Sequence, residues 1–172
     1  MKLACGLFAL VMVPLLAFQT AGASCSASDR KVRYLETEGN RPVRMVLDTS
    51  TRYELNTTVG AEEWAHLMPS GGHLIHLQDG DTTQTYTSAL FHQLRCLDIL
   101  REDYVSRRES PLRKHCLNYI RQSVLCIADN HLEYSKAGLA VTHYIETVCN
   151  DWTTVYAAAE KNYAEWQARN NM

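Results

Sequence analysis

The sequence predicts a mainly α fold with a small β contribution, namely a single-domain helical fold with two motif-bearing antiparallel helices. In the second half of the chain, apolar residues recur every three or four positions along three long stretches, each preceded by a capping residue. Nearer the front, short β-branched stretches alternate with turn sequences. No repeat or linker divides the 172 residues, and this length fits one domain.

The chain begins with a segment typical of a secretory signal. Lys2 precedes a short apolar run, and Ala21-Gly22-Ala23 fits a cleavage site. We therefore predict a signal peptide over 1–23, a single domain over 24–172, and a protein of the secretory pathway or secreted from the cell. An uncleaved N-terminal membrane anchor is the alternative, although the run is shorter than the ~20 residues that a membrane span needs. In that compartment Asn56 is a candidate glycosylation site, because Asn-Thr-Thr is an acceptor sequence.

In the first part of the domain, the sequence predicts short strands and one short helix. The stretches 31–36 (KVRYLE) and 43–48 (VRMVLD) are β-branched and separated by the turn-like EGNRP. A helix is predicted over 61–68, where apolar side chains have helical spacing before PSGG. The stretch 73–77 (HLIHL) is predicted to be a strand ending at the turn QDGD.

Three longer helices follow. The first is predicted over 88–108, with a threonine or serine as its N-cap. The second is predicted over 110–129, with Ser110 as N-cap and proline at the first helical position. The last is predicted over 151–170, capped by an asparagine or aspartate, and 130–149 is predicted to be connecting chain.

The second helix carries an apolar stripe that we expect to face the protein interior. The residues of this stripe are Leu117, Ile120, Val124 and Ile127.

Charge and motifs exclude several functions. The net charge of −2, from 17 basic and 19 acidic residues, argues against a nucleic-acid partner, which would require a basic excess on one face. The chain has neither the G-x-S-x-G elbow of serine hydrolases nor the H-E-x-x-H of zinc proteases, and it has no glycine-rich phosphate loop.

Five cysteines remain after signal cleavage, which is an odd number in an oxidising compartment. The disulfide candidates are Cys96, Cys116, Cys126 and Cys149, and the sequence leaves their pairing open. We expect Cys25, at the start of the mature chain, to be the cysteine left over.

Two histidines are the candidate metal ligands. His92 lies four residues before Cys96, so both side chains project from one side of a helix. An antiparallel partner helix would bring His115 to the same place, and paired imidazoles suit copper, zinc or iron. The alternative is a hydrogen-bonded structural histidine, the commoner role of an inward-facing imidazole. No role is predicted for three further histidines, which are His66, His73 and His76.

From about residue 53 to 166, the chain resembles the UstYa-like family of fungal oxidases, known from the biosynthesis of ustiloxin-type cyclic peptide mycotoxins. The resemblance rests on YTSALFHQLRCLDILRE, HCLNYIRQSVLCIADNHLE and VCNDWTTVY. The family has two H-x-x-H-C motifs whose histidines are taken to bind a metal, and the resemblance implies that this metal is copper. By this resemblance the chain is a metal-dependent oxidase, with His92 and His115 as ligands.

Both motifs are incomplete in this chain. The first is His92-Gln-Leu-Arg-Cys, so Arg95 stands where the family has its second histidine. The second is Leu-Arg-Lys-His-Cys, so Leu112 replaces its first histidine and His115 is retained. Many relatives also have a histidine where this chain has Thr147.

These features lead to three hypotheses on function. In the first, the protein uses oxygen to cyclise, hydroxylate or desaturate a peptide or small molecule in fungal secondary metabolism. In the second, the missing histidines mark a non-catalytic helper that works with a second UstYa-like protein. In the third, the chain is a secreted, disulfide-bonded binding protein without an enzymatic role.

Overall fold

A computed structural model describes residues 33–39, 41–48, 50–133, 135–136, 140–141 and 145–171. This part of the chain contains four helices and six strands. The predicted signal peptide and Cys25 lie outside these residues. The helices are α1 (Thr58–Ala65), α2 (Ala89–Ser106), α3 (Arg113–Ile127) and α4 (Trp152–Asn170). The strands are β1 (Pro42–Leu47), β2 (Leu74–Asp79), β3 (Thr82–Thr87), β4 (Ser135–Lys136), β5 (Ala140–Val141) and β6 (Ile145–Asn150). None of the helices in these ranges has the length and apolar character required to cross a lipid bilayer.

The described strands pair two by two, and every pair is antiparallel. β2 and β3 form a hairpin whose register runs from Leu74↔Thr87 to Asp79↔Thr82. The hairpin turn has two residues, and its first residue, Gly80, has φ +60°, which glycine adopts without steric cost. β1 pairs with β6 along their whole length, so this ribbon joins two segments far apart in the sequence.

The prediction of a mainly α, helical fold built on two antiparallel helices is wrong. The helix pair is one part of a mixed α and β fold, in which the described strands form three two-stranded ribbons. The stretch predicted to be connecting chain contains β6, and the polar β3 was not predicted at all. Both are short strands whose backbone hydrogen bonds come from a partner strand, and a local sequence pattern does not reveal that partner.

The predictions for individual elements in the remaining chain were better. The strands at 43–48 and 73–77 are confirmed as β1 and β2, whereas residues 33–36 form no strand. α1 begins earlier than predicted, because the side chain of Thr57 accepts a hydrogen bond from the Gly60 N–H and caps the helix there. α4 begins as predicted, since Asp151 accepts a hydrogen bond from the Thr153 N–H at 3.0 Å.

The core joins β2, α2 and α4. Its fully enclosed residues are Ile75, Phe91 and Ala159. Phe91 meets the ring of Tyr156 edge to face at 4.9 Å, and the Tyr156 hydroxyl donates to the Leu67 carbonyl at 2.8 Å. Because Phe91 anchors the first turn of α2 in this core, the next residue, His92, is held at the edge of the core.

α3 does not bury the apolar stripe that its sequence pattern predicts. Leu117, Val124 and Ile127 are 54%, 63% and 68% exposed, and Ile120 is only half-buried. The helix packs on α2 through Cys116 instead, which is 1% exposed. The prediction of an inward stripe is therefore wrong, because apolar periodicity identifies one face of a helix but not whether another element covers it.

Candidate metal centre

A disulfide joins the two helices that carry the motifs. Cys96 of α2 and Cys116 of α3 are bonded, with their Cα atoms 4.9 Å apart and both side chains buried. This separation lies within the usual range for disulfides. The other two candidates, Cys126 and Cys149, hold thiols that form no disulfide within the described residues. Because Cys96 and Cys116 are linked, the neighbouring turns of α2 and α3 are held side by side.

The disulfide brings the two candidate ligands together. His92 lies four residues before Cys96, and His115 directly precedes Cys116. Their Nε2 atoms are 3.2 Å apart. The ring planes are 18° from parallel, and the centroids are 5.4 Å apart with the Nε2 atoms between them, so the rings meet end to end. Tyr119, one turn further along α3, stacks on the His92 ring at 3.9 Å and supports its orientation.

The imidazole pair fits a metal ion that prefers nitrogen ligands. With metal–nitrogen bonds of about 2.0–2.1 Å, two nitrogens 3.2 Å apart subtend roughly 100° at a shared ion. That angle is close to the values for tetrahedral and square-planar sites, and both rings would have to tilt from their end-to-end arrangement to aim their lone pairs at the ion. Cys96 also has its sulfur within 4.8 Å of both histidines, but a disulfide sulfur is not the thiolate that binds metals. The two imidazoles are therefore the donors of this cluster.

The surroundings of His92 favour its neutral imidazole, which is the form that can bind a metal. Burial lowers the pKa of His92, and positive charge on His115 and on His73 lowers it further. A lowered histidine pKa favours the neutral imidazole at neutral pH, because the charged form is poorly solvated there and is repelled by its neighbours. Since only a neutral imidazole nitrogen has a lone pair for a metal, this shift leaves the His92 nitrogen more available to a cation.

Arg95, which replaces a motif histidine, forms an ion pair with Asp98. Its Nη1 donates to Asp98 Oδ2 at 3.1 Å, and Arg101 donates to the other carboxylate oxygen at 2.7 and 2.9 Å. Asp98 lies further along α2, away from His92. The positive charge of Arg95 is thus partly balanced within its own helix. Leu112, at the other altered motif position, offers no donor atom.

The turn between α2 and α3 is held by a buried carboxylate. Asp103 accepts hydrogen bonds from the N–H and hydroxyl of Ser110 and from Nε of Arg113, at 3.0–3.2 Å. Ser110 is therefore not the N-cap of the second helix, as the sequence predicted, and α3 begins later, at Arg113. The reason is tertiary, because a carboxylate from α2 takes the hydroxyl that would otherwise cap α3.

Replacing Asp103 by asparagine is expected to lower the melting temperature by several degrees at pH 7. Burial alone would raise the pKa of Asp103, but the bonds from Ser110 and Arg113 outweigh it and hold this pKa below its usual value. A lowered carboxyl pKa stabilises the fold above the unfolded value of about 3.9, and this contribution is lost as the pH falls through the folded value. Thermal melts at pH 7 and at pH 3 measure the difference between the two proteins.

We expect this difference to shrink at the lower pH. Glu109→Gln is the matched control, because Glu109 bonds the same Arg113 from an exposed position and should have little effect. Equal melting temperatures for the Asp103→Asn variant and the unaltered chain at pH 7 would contradict the role given to Asp103.

The structure also locates the residues outside the helix pair. Asn56 is exposed next to the Thr57 cap, and its glycosylation stays a prediction. His66 is exposed. His76 stacks on Trp166 at 4.4 Å and contacts the Thr85 hydroxyl, which is a packing role. His73, which the sequence assigned no role, is close enough to influence His92 electrostatically.

The comparisons with known proteins agree on one group. The family model described as "Mycotoxin biosynthesis protein UstYa" matches residues 61–167. "Oxidase ustYa" of Aspergillus flavus is 34% identical over 89 residues, covering 43% of this chain and 40% of that protein. "UstYa family oxidase phomYb" of Diaporthe leptostromiformis is 30% identical over 127 residues, covering 60% and 50%. This chain spans about half the length of these curated relatives, and no solved structure matches it.

Proposed function

The chain belongs to the UstYa family of mycotoxin biosynthesis proteins, and from that premise we propose that it is a copper-dependent oxidase. The observation that carries the proposal is the pair of imidazoles, His92 and His115, with Nε2 atoms 3.2 Å apart on two disulfide-linked helices. Its substrate is a peptide or small molecule that undergoes oxidative cyclisation, hydroxylation or desaturation. The disulfide supports a location in the secretory pathway, where such bonds persist.

Copper suits these donors, since imidazole is a favoured ligand of copper and a thiolate is absent from the pair. When bound, copper supplies one-electron redox chemistry with oxygen. The protein's own part is to hold the donors in place before the ion arrives. The Cys96–Cys116 bond sets the spacing of the helices, and Tyr119 covers one face of the His92 ring. The lowered pKa of His92 reduces the energetic cost of deprotonating its nitrogen at neutral pH.

A helper function is the second candidate, and one structural observation favours it. The apolar stripe of α3, formed by Leu117, Val124 and Ile127, is exposed to solvent. Clusters of exposed apolar side chains commonly mark protein interaction sites. In this hypothesis a related oxidase binds over the stripe. This chain then completes or positions that enzyme without carrying out the oxidation itself.

A redox cycle of the copper-loaded chain is expected to distinguish the two functions. The full chain is loaded with one equivalent of Cu(II) and reduced with ascorbate without oxygen, and air is then admitted. For an oxidase, the electron paramagnetic resonance signal of Cu(II) disappears on reduction and returns in air while oxygen is consumed. The His92→Ala, His115→Ala double variant serves as the control for copper outside the site.

A copper signal that ascorbate does not remove, or that air does not restore, would contradict the oxidase function. A stable complex with a full-length relative, seen by gel filtration together with such an inert site, would support the helper function.

A further inference from the structure

Tyr119 stacks its phenol ring directly on one of the two candidate metal ligands. It follows His115 by four residues on α3, so both side chains lie on one side of that helix. Its ring centroid lies 3.9 Å from that of His92, with 23° between the planes, and 6.1 Å from that of His115, with 9° between the planes. The phenol is therefore in van der Waals contact with an imidazole that would hold the metal.

The hydroxyl of Tyr119 has no structural task within the described part of the chain. It makes no hydrogen bond there, whereas the hydroxyl of Tyr156 donates to the Leu67 carbonyl at 2.8 Å. Buried tyrosine hydroxyls usually find such a partner. A phenylalanine ring would stack on His92 equally well, so packing alone does not require a phenol at this position. Tyr119 is half-buried, which leaves its hydroxyl proton a path to solvent.

The proposed oxidation requires more electrons than one copper ion exchanges. Desaturation or cyclisation removes two hydrogen atoms from a substrate, and oxygen takes up two electrons and two protons when it becomes hydrogen peroxide. Copper exchanges these electrons one at a time. A second one-electron donor beside the ion would complete the reaction. A phenol can release one electron and one proton together, whereas the neighbouring Cys96 is already oxidised in the disulfide.

We propose that Tyr119 is a redox-active residue that supplies the second electron and a proton to oxygen, an inference that rests on the proposed copper-dependent function. The first electron comes from reduced copper. Tyr119 loses one electron through the stacked His92 ring and releases its hydroxyl proton, which leaves a neutral tyrosyl radical. With a second proton from water, oxygen becomes hydrogen peroxide. The radical then takes a hydrogen atom from the substrate and is again a phenol, while the other substrate electron returns to copper and its proton goes to solvent.

The peroxide yield of the reduced, copper-loaded chain tests this role without a substrate. The full chain and its Tyr119→Phe and Tyr104→Phe variants are loaded with copper, reduced with ascorbate without oxygen, and freed of ascorbate before air is admitted. Tyr119→Phe keeps the ring that stacks on His92 and removes only the hydroxyl. Tyr104→Phe is the matched control, because it removes a phenol that is 73% exposed and lies in the last turn of α2, away from His92.

We expect the unaltered chain and Tyr104→Phe to form about one peroxide per copper, since copper and Tyr119 each give one electron. Tyr119→Phe should bind copper as before and form about twofold less peroxide, because two copper ions must then supply the two electrons. A nitroso spin trap, added to the unaltered chain together with the air, should label Tyr119. Peptide mass mapping locates that label.

The outcomes separate this inference from the proposed function. Equal peroxide yields for Tyr119→Phe and the unaltered chain, both binding copper, would overturn the role of Tyr119 while the metal centre stands. A trap that labels the unaltered chain elsewhere, or not at all, leads to the same conclusion even if Tyr119→Phe does not fold. If the unaltered chain binds no more copper than the His92→Ala, His115→Ala double variant, the proposed function itself fails.

Discussion

Alanine in place of His92 or His115 is expected to raise the dissociation constant for Cu(II) by roughly 100-fold or more. Loss of a group that only orients a ligand costs up to about 100-fold, and loss of the ligand itself should cost at least as much. The reason is geometric. The two Nε2 atoms lie 3.2 Å apart, close enough to be neighbouring ligands of one ion, so either substitution removes half of this pair. Copper content after dialysis and competition with a chelator provide the two measurements.

His66→Ala is the matched control for these variants, since it removes an imidazole that is exposed and lies at the C-cap of α1, outside the helix pair. The alternative explanation of the pair is an N–H···N hydrogen bond between the rings, with a structural role only. In that case copper binding would be weak in the unaltered chain and unchanged in the variants. The substitutions would then reduce only the free energy of unfolding, by about 1 kcal/mol.

Removal of the Cys96–Cys116 disulfide has the second large expected effect, a loss of about 3 kcal/mol in the free energy of unfolding. The bond closes a loop with a sequence separation of 20, and loop-closure entropy in the unfolded chain predicts this magnitude. For a chain of this size it corresponds to a melting temperature roughly 6–12 °C lower. The double variant Cys96→Ala, Cys116→Ala avoids leaving a single reactive thiol, and urea unfolding measures its stability.

Cys126→Ala is the matched control, because it removes an exposed thiol of α3 that forms no disulfide and should change stability by less than about 0.5 kcal/mol. We also expect the double variant to bind copper less tightly, since the bond sets the spacing of His92 and His115. Unfolding curves that coincide for the double variant and the unaltered chain would show that the bond contributes nothing to stability.

Much of the local structure could be predicted from the sequence. α2 and α4 have apolar periodicity and N-cap residues, which are signals contained in the sequence of each helix itself. Both helices begin where those signals place them. β6 could not be predicted, because its pairing with β1 depends on a segment at the other end of the domain. The same limit applies to α3, whose first residue was set by hydrogen bonds between Asp103 and Ser110 across the turn.

For the site, the sequence identified His92, Cys96 and His115 as residues of two motifs on neighbouring helices. It left open which cysteines pair, and it assigned His73 no role. His73 immediately precedes β2, whose pairing with β3 has a register that a one-residue slip would change by turning every side chain of the strand to the opposite face. Such a register depends on the packing of the whole hairpin.

By itself, the sequence determined which residue types stand one helical turn apart, because helix geometry converts spacing directly into a shared face. Tertiary structure alone decided that Cys96 bonds Cys116 and that the α3 stripe stays exposed. The physical reason is that these outcomes require elements to meet. Which elements meet is settled by the balance of burial against chain entropy over the whole domain, and no local pattern contains that balance.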